Sequence, residues 1–174
     1  MVSGANNDAV SGANNDAVST YAFHHVGITV ADRDRSVAFW CEVLDVEPLW
    51  VRLLDGAYLS DITGYEGIHL EAALLPLPGG GRLEILQYLL DDRTVNSDAT
   101  ANVGNVHICV QTDDIDERFR RAVAAGARPV SQGPVDVTTG PNVGARAAYL
   151  RDPDGITLEL IQVPPAVSRP SDVP

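Results

Sequence analysis

The chain has 174 residues, of which 45% are apolar and 21% are charged, a composition typical of a soluble globular protein. Its formal net charge is −12 and all twelve basic residues are arginine, which disfavours nucleic acid as a partner and excludes Schiff-base or P-loop chemistry, since both need lysine. No apolar run approaches the roughly 20 residues of a membrane span, and the first residues do not resemble a secretory signal, so we expect a cytoplasmic protein.

Both ends of the chain are predicted to be disordered tails. Residues 1–20 contain a tandem repeat, in which VSGANNDA at residues 2–9 recurs at residues 10–17. This composition, rich in Gly, Asn and Ser, buries too little apolar surface to order itself. Residues 164–174 carry closely spaced prolines, which remove the hydrogen bonds of helices and sheets.

The first half of the folded part opens with HVGITVADRDRSVAFWCEVL from His25. This pattern predicts a short strand, an aspartate-rich break with Asp32 or Asp34 as the helix cap, and then an amphipathic helix. The apolar residues at helical spacing are Val37, Phe39, Trp40, Val43 and Leu44. A strand-like run at residues 68–75 follows, and PGGGRLEILQ at residues 78–87 predicts a tight turn that enters a last strand.

The second half repeats this order, opening with HICVQTDDIDERFRRAVAAG from His107. Asp113 or Asp114 is the expected helix cap, and Gly126 suits the end of the helix. The apolar residues at helical spacing are Ile115, Phe119, Ala122 and Val123. A strand-like run at residues 145–150 precedes PDGITLELIQ at residues 153–162, a turn followed by a closing strand.

The two halves are therefore copies of one motif. An offset of 82 residues places His25 on His107, and an offset of 75 places Glu84 on Glu159. Each half reads as a strand, a helix and about three strands. We predict an α+β fold of two paired βαβββ modules, over residues 21–100 (with a linker) and 101–163, whose strands form a curved mixed sheet.

Four side chains occupy equivalent places in this duplication, a histidine on each first strand and a glutamate on each last strand. If the first and last strands of a module are neighbours, His25 meets Glu84 and His107 meets Glu159. Each glutamate interrupts an apolar strand, so alternation points it away from the flanking leucines. Two imidazoles and two carboxylates suit one divalent ion such as Zn²⁺, Ni²⁺, Co²⁺, Mn²⁺ or Fe²⁺.

Other candidate groups receive different interpretations. His24 falls on the opposite strand face from His25 and is expected to be a partly buried neighbour of the site. His69 matches no repeat position and is expected to be structural. Cys41 and Cys109 form no metal-binding pattern, and we expect both to be small buried apolar groups in a reducing compartment.

The stretches HVGITVADRDRSVAFW, RLEILQ, HICVQTDDI and DPDGITLELIQ resemble the vicinal oxygen chelate superfamily, also called the glyoxalase, bleomycin-resistance and dioxygenase superfamily. The resemblance covers nearly all of residues 23–163. It implies paired βαβββ modules around a metal in a cavity, with His25, Glu84, His107 and Glu159 as its ligands. It also implies a homodimer, in which the site lies either within one chain or between two.

The function implied by this resemblance is that of a metal-dependent lyase, isomerase or epimerase acting on a small molecule. Such enzymes remove a proton from a carbon next to a carbonyl, and the metal stabilises the resulting enediolate. Glu159 or Glu84 is the expected base. In the epimerases a glutamine often stands at the position of Glu84, so a glutamate there is closer to the glyoxalase I set.

The same residues are compatible with two alternative functions. One is an extradiol-type Fe²⁺ dioxygenase that uses His25, His107 and Glu159, and the other is a non-enzymatic protein that binds a small molecule. Residues 138–144 (TTGPNVG) read as a loop that could close over a substrate. A surface salt bridge is the favoured interpretation of Arg146 and Arg151, and Tyr149 shares a strand face with Arg151.

Overall fold

Residues 22–164 are described by the computed structural model, and they form two mixed sheets and three helices. The predicted α+β class is confirmed. The predicted tail at residues 1–20 lies outside the described residues, and so do residues 165–174 of the predicted C-terminal tail. No helix in the described range combines the length and the apolar character needed to cross a bilayer.

The first half of the chain forms a four-stranded sheet. Its elements are β1 (Val26–Thr29), α1 (Arg33–Leu44), β2 (Trp50–Leu54), α2 (Ala57–Thr63), β3 (Leu70–Pro76) and β4 (Arg82–Tyr88). The strand order is β1-β4-β3-β2, with β1 parallel to β4 and the other neighbours antiparallel. The last strand thus lies beside the first, while α2 is an element that the sequence pattern does not predict.

The second half repeats this topology with shorter outer strands. Its elements are β5 (His107–Gln111), α3 (Ile115–Ala124), β6 (Arg128–Pro129), β7 (Val135–Asp136), β8 (Arg146–Arg151) and β9 (Thr157–Gln162). The strand order is β5-β9-β8-β6, and β7 also pairs with β8. Since β5 runs parallel to β9, the first and last strands are again neighbours.

Both long helices begin at an aspartate, as predicted. Asp32 Oδ1 accepts a 2.9 Å hydrogen bond from the amide of Arg35, and Asp114 Oδ1 accepts a 3.0 Å bond from the amide of Glu117. Asp32 rather than Asp34 therefore caps α1, and Asp114 rather than Asp113 caps α3. Gly126 follows α3 with a φ of 109°, a left-handed conformation that suits glycine and confirms the predicted end of the helix.

A glutamine at the end of each half fixes the last strand to the helix of the same module. Gln87 Oε1 accepts a 2.7 Å hydrogen bond from the amide of Arg33, and Gln162 Oε1 accepts a 3.2 Å bond from the amide of Ile115. Both amides lie in a first helical turn, where no intrahelical carbonyl is available to them. An equivalent glutamine hydrogen bond in each module thus holds the strand that carries Glu84 or Glu159 against its helix.

One hydrophobic core serves both modules, because α1 and α3 pack against each other and each packs against strands of its own sheet. The strand residues that are fully buried in this core include Leu83, Ile85, Leu158 and Leu160. Alternation along β4 and β9 then directs Glu84 and Glu159 to the opposite face of each sheet. Both glutamate-bearing faces therefore turn away from the shared core.

The turn between β8 and β9 joins the two modules. Asp152 is fully buried, and its Oδ1 accepts hydrogen bonds from the amides of Asp154 (2.9 Å) and Ile156 (2.8 Å). Its Oδ2 accepts a 3.3 Å bond from Nε1 of Trp40 on α1, and Asp154 accepts a 2.6 Å bond from Arg35. Burial removes the Asp152 carboxylate from water and raises its pKa above the usual range.

Candidate metal centre

The first histidine–glutamate pair lies where β1 runs beside β4. Gly27 is the register partner of Glu84, and His25, two residues earlier, faces the same side of the sheet. The distance from His25 Nε2 to Glu84 Oε2 is 3.3 Å, and the two side chains are 35% and 21% exposed. We call these two residues the first half-site.

The second pair has the same construction, where β5 runs beside β9. Cys109 is the register partner of Glu159, and His107 precedes it by two residues on the same face. The distance from His107 Nε2 to Glu159 Oε2 is 3.0 Å, and the side chains are 45% and 17% exposed. We call these two residues the second half-site.

The single chain brings each pair together but does not unite the two pairs. Within residues 22–164, no three or more His, Cys, Asp or Glu side chains are grouped so that they could hold one metal ion. Each half-site lies on the face of its sheet that is turned away from the helix of its module and from the shared core. One chain therefore presents two separate, partly exposed half-sites.

His24 contacts His25 directly, although the sequence places the two side chains on opposite faces. The two Nδ1 atoms are 2.6 Å apart and the rings meet edge to face, with centroids separated by 4.9 Å. The prediction that His24 is partly buried is wrong, because it is exposed in the segment that precedes β1. If His25 donates through Nδ1, its Nε2 keeps a lone pair for a cation.

His69 lies apart from both half-sites. It is exposed and immediately precedes β3, where Leu70, Ala72 and Leu74 share the face of Glu84. Alternation therefore directs His69 to the other side of the sheet. This position agrees with a role outside the candidate metal centre.

The polar residues of β8 have three different environments. Arg146 forms the predicted surface salt bridge, with its Nη1 2.5 Å from an Asp116 oxygen. Arg151 does not, because it is buried and its Nη1 donates a 2.8 Å hydrogen bond to Thr157 Oγ1. Tyr149 is the register partner of Glu159, and burial together with the negative charge of Glu159 raises its pKa.

Cys109 is a residue of this face that sequence reasoning assigned to the core. Cys41 is half-buried beside the core, but Cys109 is exposed on an edge strand between His107 and Gln111. The partial burial of its thiol and the charge of Glu159 raise the pKa of Cys109 to about 11. The thiol is therefore neutral near pH 7, and the signal for its position was its two-residue spacing from His107.

Comparison with known proteins identifies the family of the chain. A sequence profile described as Glyoxalase/Bleomycin resistance protein/Dioxygenase superfamily matches residues 22–160. A protein from Actinomyces sp. named 2-epi-5-epi-valiolone epimerase is 30% identical over 150 residues, which are 82% of this chain and 80% of that protein.

Solved structures share the same architecture. A glyoxalase family protein from Bacillus cereus superposes with a TM-score of 0.66 at 24% identity, over 84% of this chain and 97% of that one. A variant of the fosfomycin resistance protein FosX from Listeria monocytogenes, solved with Mn(II) and 1S,2S-dihydroxypropylphosphonic acid, superposes with a TM-score of 0.50 at 20% identity, over 80% and 87% of the two chains. The profile match and the epimerase relative together establish that this chain belongs to the glyoxalase, bleomycin resistance and dioxygenase superfamily.

Proposed function

We propose that the protein is a divalent-metal-dependent epimerase or isomerase that acts on a small molecule at a carbon next to a carbonyl. The observation that carries this proposal is the repeated histidine–glutamate pair, with nitrogen–oxygen distances of 3.3 Å and 3.0 Å at equivalent positions of the two modules. The name of the 30% identical relative, an epimerase, supports the reaction class.

The donor atoms of the two half-sites fit one divalent cation. His25 and His107 offer imidazole nitrogens, and Glu84 and Glu159 offer carboxylate oxygens, a set that suits Zn²⁺, Ni²⁺, Co²⁺, Mn²⁺ or Fe²⁺. All four side chains are partly exposed, so that a cation can reach them in the folded protein. A bound cation would supply Lewis acidity to a carbonyl oxygen of the substrate.

Two copies of the chain are needed to complete this centre. In each chain the half-sites lie on the sheet faces turned away from the core, and β1 and β5, which position the two histidines, are edge strands of the sheets that residues 22–164 form. A twofold axis would place the first half-site of each copy against the second half-site of its partner, and so form two equal centres. The proposed functional unit is therefore a homodimer.

Glu84 and Glu159 are the residues proposed to move the proton. One carboxylate takes the proton from the carbon, and the electron pair of the C–H bond moves toward the carbonyl oxygen. Return of a proton from a carboxylic acid to the opposite face of the carbon inverts its configuration. Because each half-site supplies one glutamate, one can remove the proton as a carboxylate, and the other, already protonated from solvent, can donate its own proton to the opposite face.

Metal content and solvent exchange test this proposal together. We expect about one divalent ion per chain in the purified dimer, with His25→Gln lowering this content severalfold because an amide is a poorer ligand than imidazole. With metal bound, incubation in D₂O with 2-epi-5-epi-valiolone or simple hydroxy ketones should place deuterium on the carbon beside the carbonyl, as followed by NMR. Removal of the metal by a chelator should stop this exchange.

His69→Gln is the matched control, since His69 is an exposed histidine outside both half-sites. It should bind metal and exchange deuterium like the wild type. A wild-type protein that exchanges at full rate without metal would contradict the proposal. Oxygen consumption with catechols by the Fe²⁺-loaded protein, without any exchange, would support the dioxygenase instead.

A further inference from the structure

The first half-site has apolar neighbours on both sides of its glutamate. The register partners of Glu84 are Gly27 on β1 and Leu74 on β3. A Cβ atom on Gly27 would lie 3.9 Å from Oε2 of Glu84, and Leu74 is only 7% exposed. Neither residue can donate or accept a side-chain hydrogen bond beside Glu84.

The second half-site has polar neighbours at the two equivalent positions. The register partners of Glu159 are Cys109 on β5 and Tyr149 on β8. The duplication therefore retains the candidate metal ligands and changes the residues that flank the glutamate. A thiol and a phenol stand where the first module has a glycine and a leucine. This difference makes the two sides of the proposed centre chemically unequal.

Tyr149 is placed to contact whatever occupies the second half-site. Its ring centroid is 5.4 Å from that of His107, with the two planes tilted by 37°. The side-chain hydrogen bonds of β8 come from Arg146 and Arg151, and within residues 22–164 the Tyr149 hydroxyl makes none. The half-buried phenol therefore presents a donor beside Glu159.

A small pocket adjoins Tyr149. Its volume is about 260 Å³, and it is lined by Val130, Ser131, Val135, Ala147, Ala148 and Tyr149. This volume is slightly below the usual range for small-molecule sites, and most of the lining is apolar. Tyr149 thus both lines this pocket and is the register partner of Glu159.

We propose that the Tyr149 hydroxyl donates a hydrogen bond to an oxygen substituent of the substrate next to the reacting carbon. The substrate class is then a compact hydroxylated ketone, whose oxygen-bearing side meets the second half-site and whose apolar side meets Gly27 and Leu74. The proposed function supplies the location of the reacting carbon, and Tyr149 adds the selection for a neighbouring hydroxyl group. Tyr149 is in this sense a specificity-determining residue.

A pair of simple ketones tests this selection by binding alone. Calorimetric titration of the full-length protein with 2-hydroxycyclohexanone and with cyclohexanone measures the contribution of one hydroxyl group to Kd. We expect the wild type to prefer the hydroxylated ketone by about tenfold, as for one hydrogen bond to a neutral donor. Tyr149→Phe keeps the ring against His107 and should bring the ratio of the two Kd values close to one, whereas Tyr65→Phe should keep the wild-type ratio.

The outcomes separate this inference from the proposed function. Equal affinity of the wild type for the two ketones, binding of neither, or an undiminished preference in Tyr149→Phe would overturn the role of Tyr149. All of these outcomes are measured as binding affinities and do not require catalytic activity. Absence of metal and of deuterium exchange in the wild type would instead overturn the proposed function, whatever the binding ratio.

Discussion

Replacing Glu84 or Glu159 with glutamine should lower kcat/KM for deuterium exchange by about a thousandfold or more. Each substitution removes a negative charge that would bind the cation and a carboxylate that would move the proton. The side chains are nearly the same size, so the fold should be retained. The measurement is kcat/KM together with metal content and Tm for each variant, at the same protein concentration.

Glu71→Gln provides the control for this pair. Glu71 also lies within a strand, but it pairs with Gln87 and therefore occupies the opposite face of the sheet from Glu84. Its substitution should leave exchange and metal content close to those of the wild type. Near wild-type activity in either Glu84→Gln or Glu159→Gln would remove that carboxylate from the mechanism.

Asp152→Ala should produce the largest loss of stability among the polar substitutions considered. The change leaves the half-buried amides of Asp154 and Ile156, and the buried Nε1 of Trp40, without their acceptor. A fully buried donor left unpaired costs about 1–3 kcal/mol, and water can reach the two half-buried amides in part, so we expect a total loss of about 2–4 kcal/mol. For a chain of this size, that corresponds to a fall in Tm of roughly 5–10 °C.

Asp152→Asn separates the contribution that the hydrogen bonds of Asp152 make to stability from the contribution of its charge. The asparagine oxygen can still accept from both amides, so this variant should lose less stability than Asp152→Ala.

Burial raises the pKa of Asp152 above 3.8, which means that the folded state resists ionisation of this carboxyl. Wild-type stability should therefore fall relative to Asp152→Asn as the pH rises from about 4 through the raised pKa. Equal stability of Asp152→Ala and the wild type would contradict the structural role of this turn.

The repeat in the sequence predicted the parts of the fold that depend on short-range pattern. The spacing of His25 and Glu84 relative to His107 and Glu159 predicted equivalent strands, and the structure pairs β1 with β4 and β5 with β9. Alternation along these strands predicted that each glutamate faces away from its apolar neighbours. These features follow from backbone geometry, which is the same in both halves.

The arrangement of the modules could not be predicted in this way. Whether the two sheets of one chain join into one site depends on the contact between α1 and α3, which no local pattern specifies. The same limit explains the exposure of Cys109, since an apolar residue type on an edge strand looks like a core residue in sequence. The same limit explains why α2 was not predicted. In this short helix, the buried Leu59 packs with Ile68 and Leu70 outside the main core.

The most direct test of the account is a mixture of two inactive variants. If each centre combines the first half-site of one copy with the second half-site of its partner, a dimer of Glu84→Gln with Glu159→Gln contains one intact centre and one with both substitutions. Equal mixing with full subunit exchange should then restore about a quarter of the wild-type activity, because half of the dimers are mixed and each of these has one working centre. A mixture that stays as inactive as its components, although mixed dimers have formed, would contradict a centre completed between two copies.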